Sequence, residues 1–389
     1  MIPRQAASTL QRLAKGFPVL AITGPRQSGK TTIARALFPQ KPYVSLENLD
    51  ERQFALSDPK RFLSRFPDGA VIDEAQRCPD LFSWLQGVVD ERRVMGQFVL
   101  TGSAKFDLMV GITQSLAGRV GRLELLPLSL QEISQVQAVP DRLSQMLWRG
   151  GYPALYDRLV QPNDWFANYM ATYIERDVRQ IIKVQDLTQF QVFVKMCAAR
   201  TGQLLNLSSL AADCGISHVT ARQWLSVLQT SYLVTLLHGH HRNFGKRLVK
   251  APKLYFLDVG LAAWLLGIRD ADSLETHASR GALFETWVVS EYCKNRFNHG
   301  EPLDLFFWRD SNGTEVDLIL ETPSGLKPVE IKSGCTFASD WGKAITQWVK
   351  QAQQDKAAIL LKPCVVYGGQ TSQDRGSLDL LSWRDVKDL

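Results

Sequence analysis

The sequence predicts an α/β chain: a doubly wound parallel sheet, then a helical stretch, then a second, smaller α/β unit. Three observations predict it. Apolar runs alternate with helical stretches from Phe17 to about Leu130. The first run ends in a glycine-rich turn that opens a helix. Strands return from about Phe306, after a long stretch of mainly helical periodicity.

In order, Ile2 to Lys15 reads as a short amphipathic helix. Phe17 to Thr23 is a compact apolar run ending at Gly24, as a strand buried on both faces should be. Lys30 to about Phe38 is an expected helix, Tyr43 to Leu46 and Ala70 to Asp73 are strands, Leu81 to Glu91 a helix, and Gln97 to Thr101 a strand. From Ser129 to about Phe190 the periodicity is helical, broken at Gly150-Gly151-Tyr152-Pro153. Leu207 to Leu228 reads as two helices around a glycine turn, and Ser231 to Asp258 as a hairpin with a basic tip. After a helix at Gly260 to Leu266, the polar stretch Arg269 to Ser279 is expected to be a loop and a boundary. Helix, strands, helix and strand follow from Gly281. The expected division is 1–130, a parallel-sheet domain; 131–190, a helical connector; 191–268, a winged helix-turn-helix; and 269–389, a restriction-endonuclease-like α/β domain.

A chain of 389 residues, 45% of them apolar, has enough material for several buried cores. The formal charge of +6 is compatible with a nucleic-acid partner without requiring one. Six scattered cysteines with no C-x-x-C pair argue against thiolate metal sites and a disulfide framework. No signal-type N-terminus and no run of about 18 apolar residues occurs, so no membrane span is expected and the cytoplasm is the default location.

Gly24-Pro25-Arg26-Gln27-Ser28-Gly29-Lys30-Thr31-Thr32 carries the spacing G-x-x-x-x-G-K-T. Glycines let backbone N–H groups wrap phosphate oxygens, Lys30 offsets β/γ charge, and Thr31 ligates Mg²⁺ at a helix N-terminus. Val71-Ile72-Asp73-Glu74 supplies the partner acids: Asp73 on the metal side, Glu74 as the base toward water. Ser103, ending Val99-Leu-Thr-Gly-Ser103, stands where a γ-phosphate sensor would. Arg119 is a candidate arginine finger, with Arg122 and Arg176 as rivals. ATP and Mg²⁺ are the expected ligands.

The run from Gly24 through Gln131, with Gly-Pro-Arg-Gln-x-Gly-Lys-Thr, Ile-Asp-Glu-Ala-Gln, Leu-Thr-Gly-Ser and Leu-Ala-Gly-Arg-Val, resembles the prokaryotic AAA-type P-loop ATPases that carry a DUF4143 C-terminal region. Tyr173-Ile-Glu-Arg-Asp177 and the later Glu-x-Lys match as well. The resemblance implies a homo-oligomer, a hexamer among the sizes it allows, because a finger acting in trans needs a neighbour.

In the middle, Leu210 and Ala211 pack a first helix, Gly215 turns, Ile216 is buried, and Ser217 caps a second helix with Val219, Trp224, Leu225 and Leu228 inward. Arg242, Lys246, Arg247, Lys250 and Lys253 sit at the tip and flanks of the hairpin, placed to meet DNA phosphates. His238, His240 and His241 share that stretch and read as solvated or phosphate-facing rather than metal-bound. A plain domain connector is the alternative reading of this region.

At the C-terminus, Glu285 lies on a helix, Asp317 on a strand, and Glu330 and Lys332 share one face of the next. Asp317 and Glu330 could share a divalent ion while Lys332 orients water. This order resembles the PD-(D/E)xK nuclease superfamily, without a Pro before Asp317, and with Gln347 as the supporting polar residue. Active nuclease, an inert DNA-binding fold and a chance hairpin of surface acids all remain open. The expected function is ATP-driven binding and remodelling of, or movement along, DNA, branched forms included. The alternative is a nucleotide-gated switch that binds DNA or protein without cutting.

Overall fold

The computed structural model describes residues 2–103, 115–137, 139–173, 187–240, 251–353 and 359–389. Arg176 with the rest of 174–177, and His241, Arg242, Lys246, Arg247 and Lys250 of the expected hairpin tip, lie outside them.

The N-terminal unit runs α1 (Ala6–Gly16), β1 (Val19–Thr23), α2 (Lys30–Leu37), β2 (Tyr43–Ser45), α3 (Leu49–Ser57), α4 (Pro59–Ser64), β3 (Val71–Asp73), α5 (Leu81–Arg92), β4 (Phe98–Gly102) and β5 (Val120–Glu124). Its strands form one parallel sheet in the order β2-β3-β4-β1-β5. Every residue of β1 is buried, because helices cover both faces. Leu20 and Ile22 pack with Leu10 of α1 and Ile33 of α2; Val19 and Ala21, one residue out of phase, pack with Phe62 and Leu85. Strand β5 went unread in the sequence. It carries Arg122 and Glu124, and edge position tolerates that polarity.

The chain continues through α6 (Leu130–Ser134), α7 (Leu143–Arg149), α8 (Ala154–Asp157), α9 (Pro162–Tyr173) and α10 (Leu187–Ala199), as the helical periodicity predicts. Then come β6 (Gln203–Leu204), α11 (Leu207–Asp213), α12 (His218–Thr230), β7 (Val234–Leu237) and β8 (Lys253–Phe256), the strands forming a small antiparallel sheet in the order β6-β8-β7. Gly215 makes the turn with φ +64°, a conformation glycine adopts without strain. Ser217 Oγ accepts from Thr220 N at 3.0 Å and so caps α12. Trp224 meets Phe190 and Phe193 of α10 edge-on, at 5.2 and 5.5 Å between ring centres. Two sequence expectations are corrected here. Val219 is 65% exposed, because the inward stripe runs Ala221, Trp224, Leu225, Leu228, and Val219 falls off it. Ile216 is only half-buried in the turn.

A helix, α13 (Val259–Leu265), leads to a third correction. The expected loop contains α14 (Ala271–Thr276), capped by Asp270, whose Oδ1 accepts from Ser273 N at 2.7 Å. The C-terminal unit is α15 (Arg280–His299), β9 (Leu305–Arg309), β10 (Glu315–Thr322), β11 (Gly325–Lys332), α16 (Lys343–Ala352), β12 (Cys364–Tyr367), β13 (Gln373–Asp374) and β14 (Asp379–Ser382). Its mixed sheet has the order β13-β14-β12-β11-β10-β9. One apolar core, running from Leu126 to Val386, includes side chains of α9, α10, α12, β8, α15, β10 and β12. The connector, the middle unit and much of the C-terminal unit therefore share an interior. Among the described residues, no helix is long and apolar enough to cross a membrane.

Candidate functional site

Sequence places the glycine-rich loop at the carboxyl end of β1, where a parallel sheet gathers its loops. Gly24 has φ +151°, and a Cβ there would lie 2.1 Å from Leu125 O, so only glycine lets the loop pass. Gly29 has φ +94° and opens α2. Gln27 and Glu74, neither of them glycine, also hold positive φ, 60° and 54°. Strain of this kind persists only where surroundings impose it.

The predicted residues converge. Thr31 Oγ1 donates to Asp73 Oδ1 at 2.9 Å, and Thr101 Oγ1 donates to the same oxygen. Tyr43 donates to Asp73 Oδ2 at 2.9 Å; burial, with Asp73 beside it, holds the Tyr43 phenol above its ordinary pKa. Glu74 Oε2 accepts from Gln76 Nε2 at 2.5 Å and from Ser103 Oγ at 3.3 Å. Lys30 is buried, its Nζ donating to the carbonyls of Gly24 (3.0 Å) and Pro25 (2.7 Å). The Thr31 hydroxyl and the Asp73 carboxylate, here hydrogen-bonded directly to each other, are oxygen donors of the kind that hydrated Mg²⁺ takes. Arg26 lies 3.9 Å from Glu47. Arg119 donates to both oxygens of Asp90 on α5, through Nε at 2.5 Å and Nη2 at 2.8 Å, so in this chain its guanidinium is engaged in cis.

Sequence reasoning missed Arg4. It stands just before α1, and its guanidinium donates to Ser28 O (2.6 Å), Leu126 O (2.7 Å) and Glu132 Oε1 (3.0 Å). It ties the phosphate loop to the start of α6. Nothing local signals this, because all its partners come from elsewhere in the fold. Beside it a cavity of about 290 Å³ opens next to Gly29 and Thr32, walled by Ile2, Pro3, Ile33, Leu37, Leu128 and Pro153. Arg4→Met strands a buried carboxylate, although Gln5 N and Ser129 N still donate to Glu132. The variant is therefore expected near the low end of the cost of breaking a buried pair, about 3 kcal/mol, with weaker ATP binding. Urea unfolding with and without ATP measures both, and an unchanged midpoint would show that Arg4 clamps nothing.

The second cluster joins Glu285, Asp317, Glu330 and Lys332, as the sequence predicts, and adds members it did not. Lys253, expected on an exposed wing, is 2% exposed: β8 packs against α15, and Lys253 Nζ lies 2.9 Å from Glu285 Oε1 and 2.5 Å from Glu315 Oε1. Tyr255, two residues along β8, donates to Glu285 Oε1 at 2.5 Å. Arg309 Nη1 bonds Glu315 Oε2 at 3.0 Å, Asp317 Oδ2 accepts from Ile331 N at 2.8 Å, and Lys332 pairs with Glu330 at 2.5 Å. Burial, reinforced by Asp317, pushes Glu285 up to about 7 and Glu330 up to about 8; burial also raises Asp317. Among the described residues, no three His, Cys, Asp or Glu side chains are disposed to hold a metal. Of the expected pair Asp317 and Glu330, Asp317 Oδ2 is taken by the Ile331 N–H, while Glu330 Oε2 is buried with no hydrogen-bond partner among the described residues. Gln347 is exposed on α16, beside the buried Ile345 and Trp348, and is not part of this buried cluster. His240 is buried too, its Nε2 2.9 Å from Glu321 Oε1, rather than solvated.

Family models match the chain in three places: an AAA domain at 16–134, a domain of unknown function (DUF8612) at 140–272, and a domain of unknown function (DUF4143) at 280–385. Two mycobacterial relatives, the uncharacterized proteins Rv2008c of Mycobacterium tuberculosis and Mb2031c of Mycobacterium bovis, are each 33% identical over 372 residues, 94% of this chain and 80% of theirs. Among solved structures, the Walker-type ATPase PABY2304 of Pyrococcus abyssi is similar over 68% of this chain and 96% of that one, at 15% identity and a TM-score of 0.46.

Proposed function

Because this chain belongs to the family of AAA-domain proteins that carry a C-terminal DUF4143 region, we propose that it hydrolyses ATP at its phosphate loop and uses the cycle to change its hold on DNA. Mg²⁺, when bound, offsets charge on the phosphate oxygens; Thr31 and Asp73 would hold it. Lys30 exchanges the Gly24 and Pro25 carbonyls for phosphate oxygens. Glu74 takes a proton from water, oriented by Gln76 and Ser103. Arg119, released from Asp90, serves as the finger toward a neighbouring copy in a homo-oligomer.

One observation carries the coupling. Tyr232 lies two residues beyond the end of α12, in the left-handed region at φ +59°, and its hydroxyl is 2.6 Å from the Oγ1 of Thr23, the residue before Gly24. A change at the loop therefore meets the helix-turn-helix through one hydrogen bond. The outer face of α12 offers the exposed His218, Arg222 and Gln223 for phosphate contacts, in the manner of a winged helix-turn-helix. A second reading, a nucleotide-gated switch, is favoured by the Arg119–Asp90 pair, which leaves that arginine committed within its own chain.

ATPase rates measured with no DNA, linear duplex, single strand and four-way junction separate the two, with Lys30→Ala as the blank. At least one DNA form is expected to raise the rate several-fold. Equal rates in all four conditions would end the DNA-driven reading.

A further inference from the structure

We infer that Tyr43 is a positioning residue of the ATP site. On the proposed reading of Asp73 as the metal-side acid, the Tyr43 hydroxyl fixes which lone pair that carboxylate turns toward a water on Mg²⁺. Hydrogen-bond capacity is the first ground. An ionised carboxylate offers about four lone-pair sites over its two oxygens. Three hydroxyls take most of them: Thr31 and Thr101 donate to Asp73 Oδ1, and Tyr43 donates to Oδ2 at 2.9 Å. Among the described residues, what stays open is the second lone pair of Oδ2, and the Tyr43 hydroxyl determines which one that is. A hydrated divalent ion reaches a carboxylate through a donating water, so that lone pair is the one it would use. Without Tyr43, Oδ2 would be free to rock about the oxygen that the two threonines hold.

The fold delivers this hydroxyl in a specific way. Tyr43 opens β2, the edge strand beside β3. Ser45 is the register partner of Asp73, and Tyr43, two residues earlier, faces the same side of the sheet. Only a long side chain with a polar tip spans that diagonal. Thr31 and Arg35 lie one turn apart on α2 and so share a face of that helix. The Arg35 guanidinium stands 4.8 Å from the centre of the Tyr43 ring, a cation–π contact that steadies the ring. Helix α2 therefore acts on one oxygen of Asp73 through Thr31 and on the other through Arg35 and Tyr43.

Exposure is the third ground. A tyrosine that merely finishes a sheet edge packs its ring and leaves its hydroxyl to water. Tyr43 is 39% exposed, yet its hydroxyl is committed to the acid. A cavity of about 620 Å³, with Thr31, Arg35, Lys41 and Tyr43 in its wall, opens beside it, so water can reach this side of the site.

The test uses the full chain in excess over a non-hydrolysable ATP analogue, with Mn²⁺ titrated in and its free signal read by electron paramagnetic resonance. Tyr43→Phe removes one exposed oxygen and is expected to weaken Mn²⁺ binding about tenfold, the low end of what an outer partner of a metal ligand contributes. Binding of the analogue in EDTA should change by less than about twofold. In an Asp73→Asn background the same change should cost little more, because the hydroxyl acts through that carboxylate. Arg35→Met keeps the hydroxyl but frees the ring, and should weaken Mn²⁺ binding about threefold. Unchanged Mn²⁺ affinity in Tyr43→Phe would overturn the inference. So would equal losses with and without metal, which would mark a distorted loop, or an undiminished further loss on top of Asp73→Asn. If Tyr43→Phe does not fold, Arg35→Met decides, and unchanged affinity there overturns the inference equally. No hydrolysis is needed for this readout. Absent turnover would count against the proposed function alone, whereas a chain that holds no Mn²⁺ beside the analogue would refute both.

Discussion

Glu74→Gln is expected to slow ATP turnover at least about a hundredfold while leaving ATP affinity within about threefold. The expectation rests on where Glu74 sits. It directly follows β3, one residue after Asp73, and is held at φ +54° by the turn it begins. Gln76 and Ser103 both donate to one of its oxygens, which orients the carboxylate. A glutamine keeps size and polarity but cannot accept a proton from water at neutral pH. Chemistry should therefore suffer and binding should not. Steady-state turnover with a fluorescent-nucleotide titration measures the two separately. A loss below about fivefold would mean that Glu74 is a turn residue and that water is activated elsewhere.

Lys30→Ala should bring turnover to background, a loss of at least about a hundredfold, and should weaken ATP binding as well. Without nucleotide the lysine amine already rests on the Gly24 and Pro25 carbonyls, so the loop is held in shape by the same group that would greet the phosphates. Two hydrogen bonds vanish with it, a structural cost of about 1 kcal/mol each. Calorimetric unfolding separates that cost from the catalytic one. Lys30→Arg distinguishes charge from shape: a planar fork cannot occupy the seat of a point charge, so it should not restore turnover. Restoration by arginine would show that charge alone matters.

The phosphate loop, Asp73, Glu74 and Ser103 were legible because each ends a strand of buried apolar residues, a local pattern with a local chemical reason. Arg4 was not legible: its partners Ser28, Leu126 and Glu132 become neighbours only after the sheet is assembled. Strand β5 was hidden by its own polarity, with Arg122 and Glu124 alternating with buried Gly121 and Leu123. Lys253 misled for a related reason. A lysine beside a basic run reads as surface, and nothing near it in sequence announces that Glu285 and Glu315 await it. Val219 shows the limit of helical phase, since one residue's offset carries an apolar side chain out of the core. For Arg4 and Lys253 the missing information was a long-range partner, which composition and periodicity do not carry.

The interior shared from Leu126 to Val386 has an evolutionary consequence. Parts with separate interiors can be exchanged between genes like beads on a string. Here Trp287 and Phe284 of α15 lie in the same interior as Phe256 of β8 and Trp224 of α12. A recombination point between them would give the descendant half of one jigsaw and half of another. The AAA module, with two apolar clusters of its own, is the portion that a lineage could trade away more easily. Most of the remainder is bound by the shared interior, with a smaller separate cluster around Trp308 and Trp348 at the C-terminal sheet.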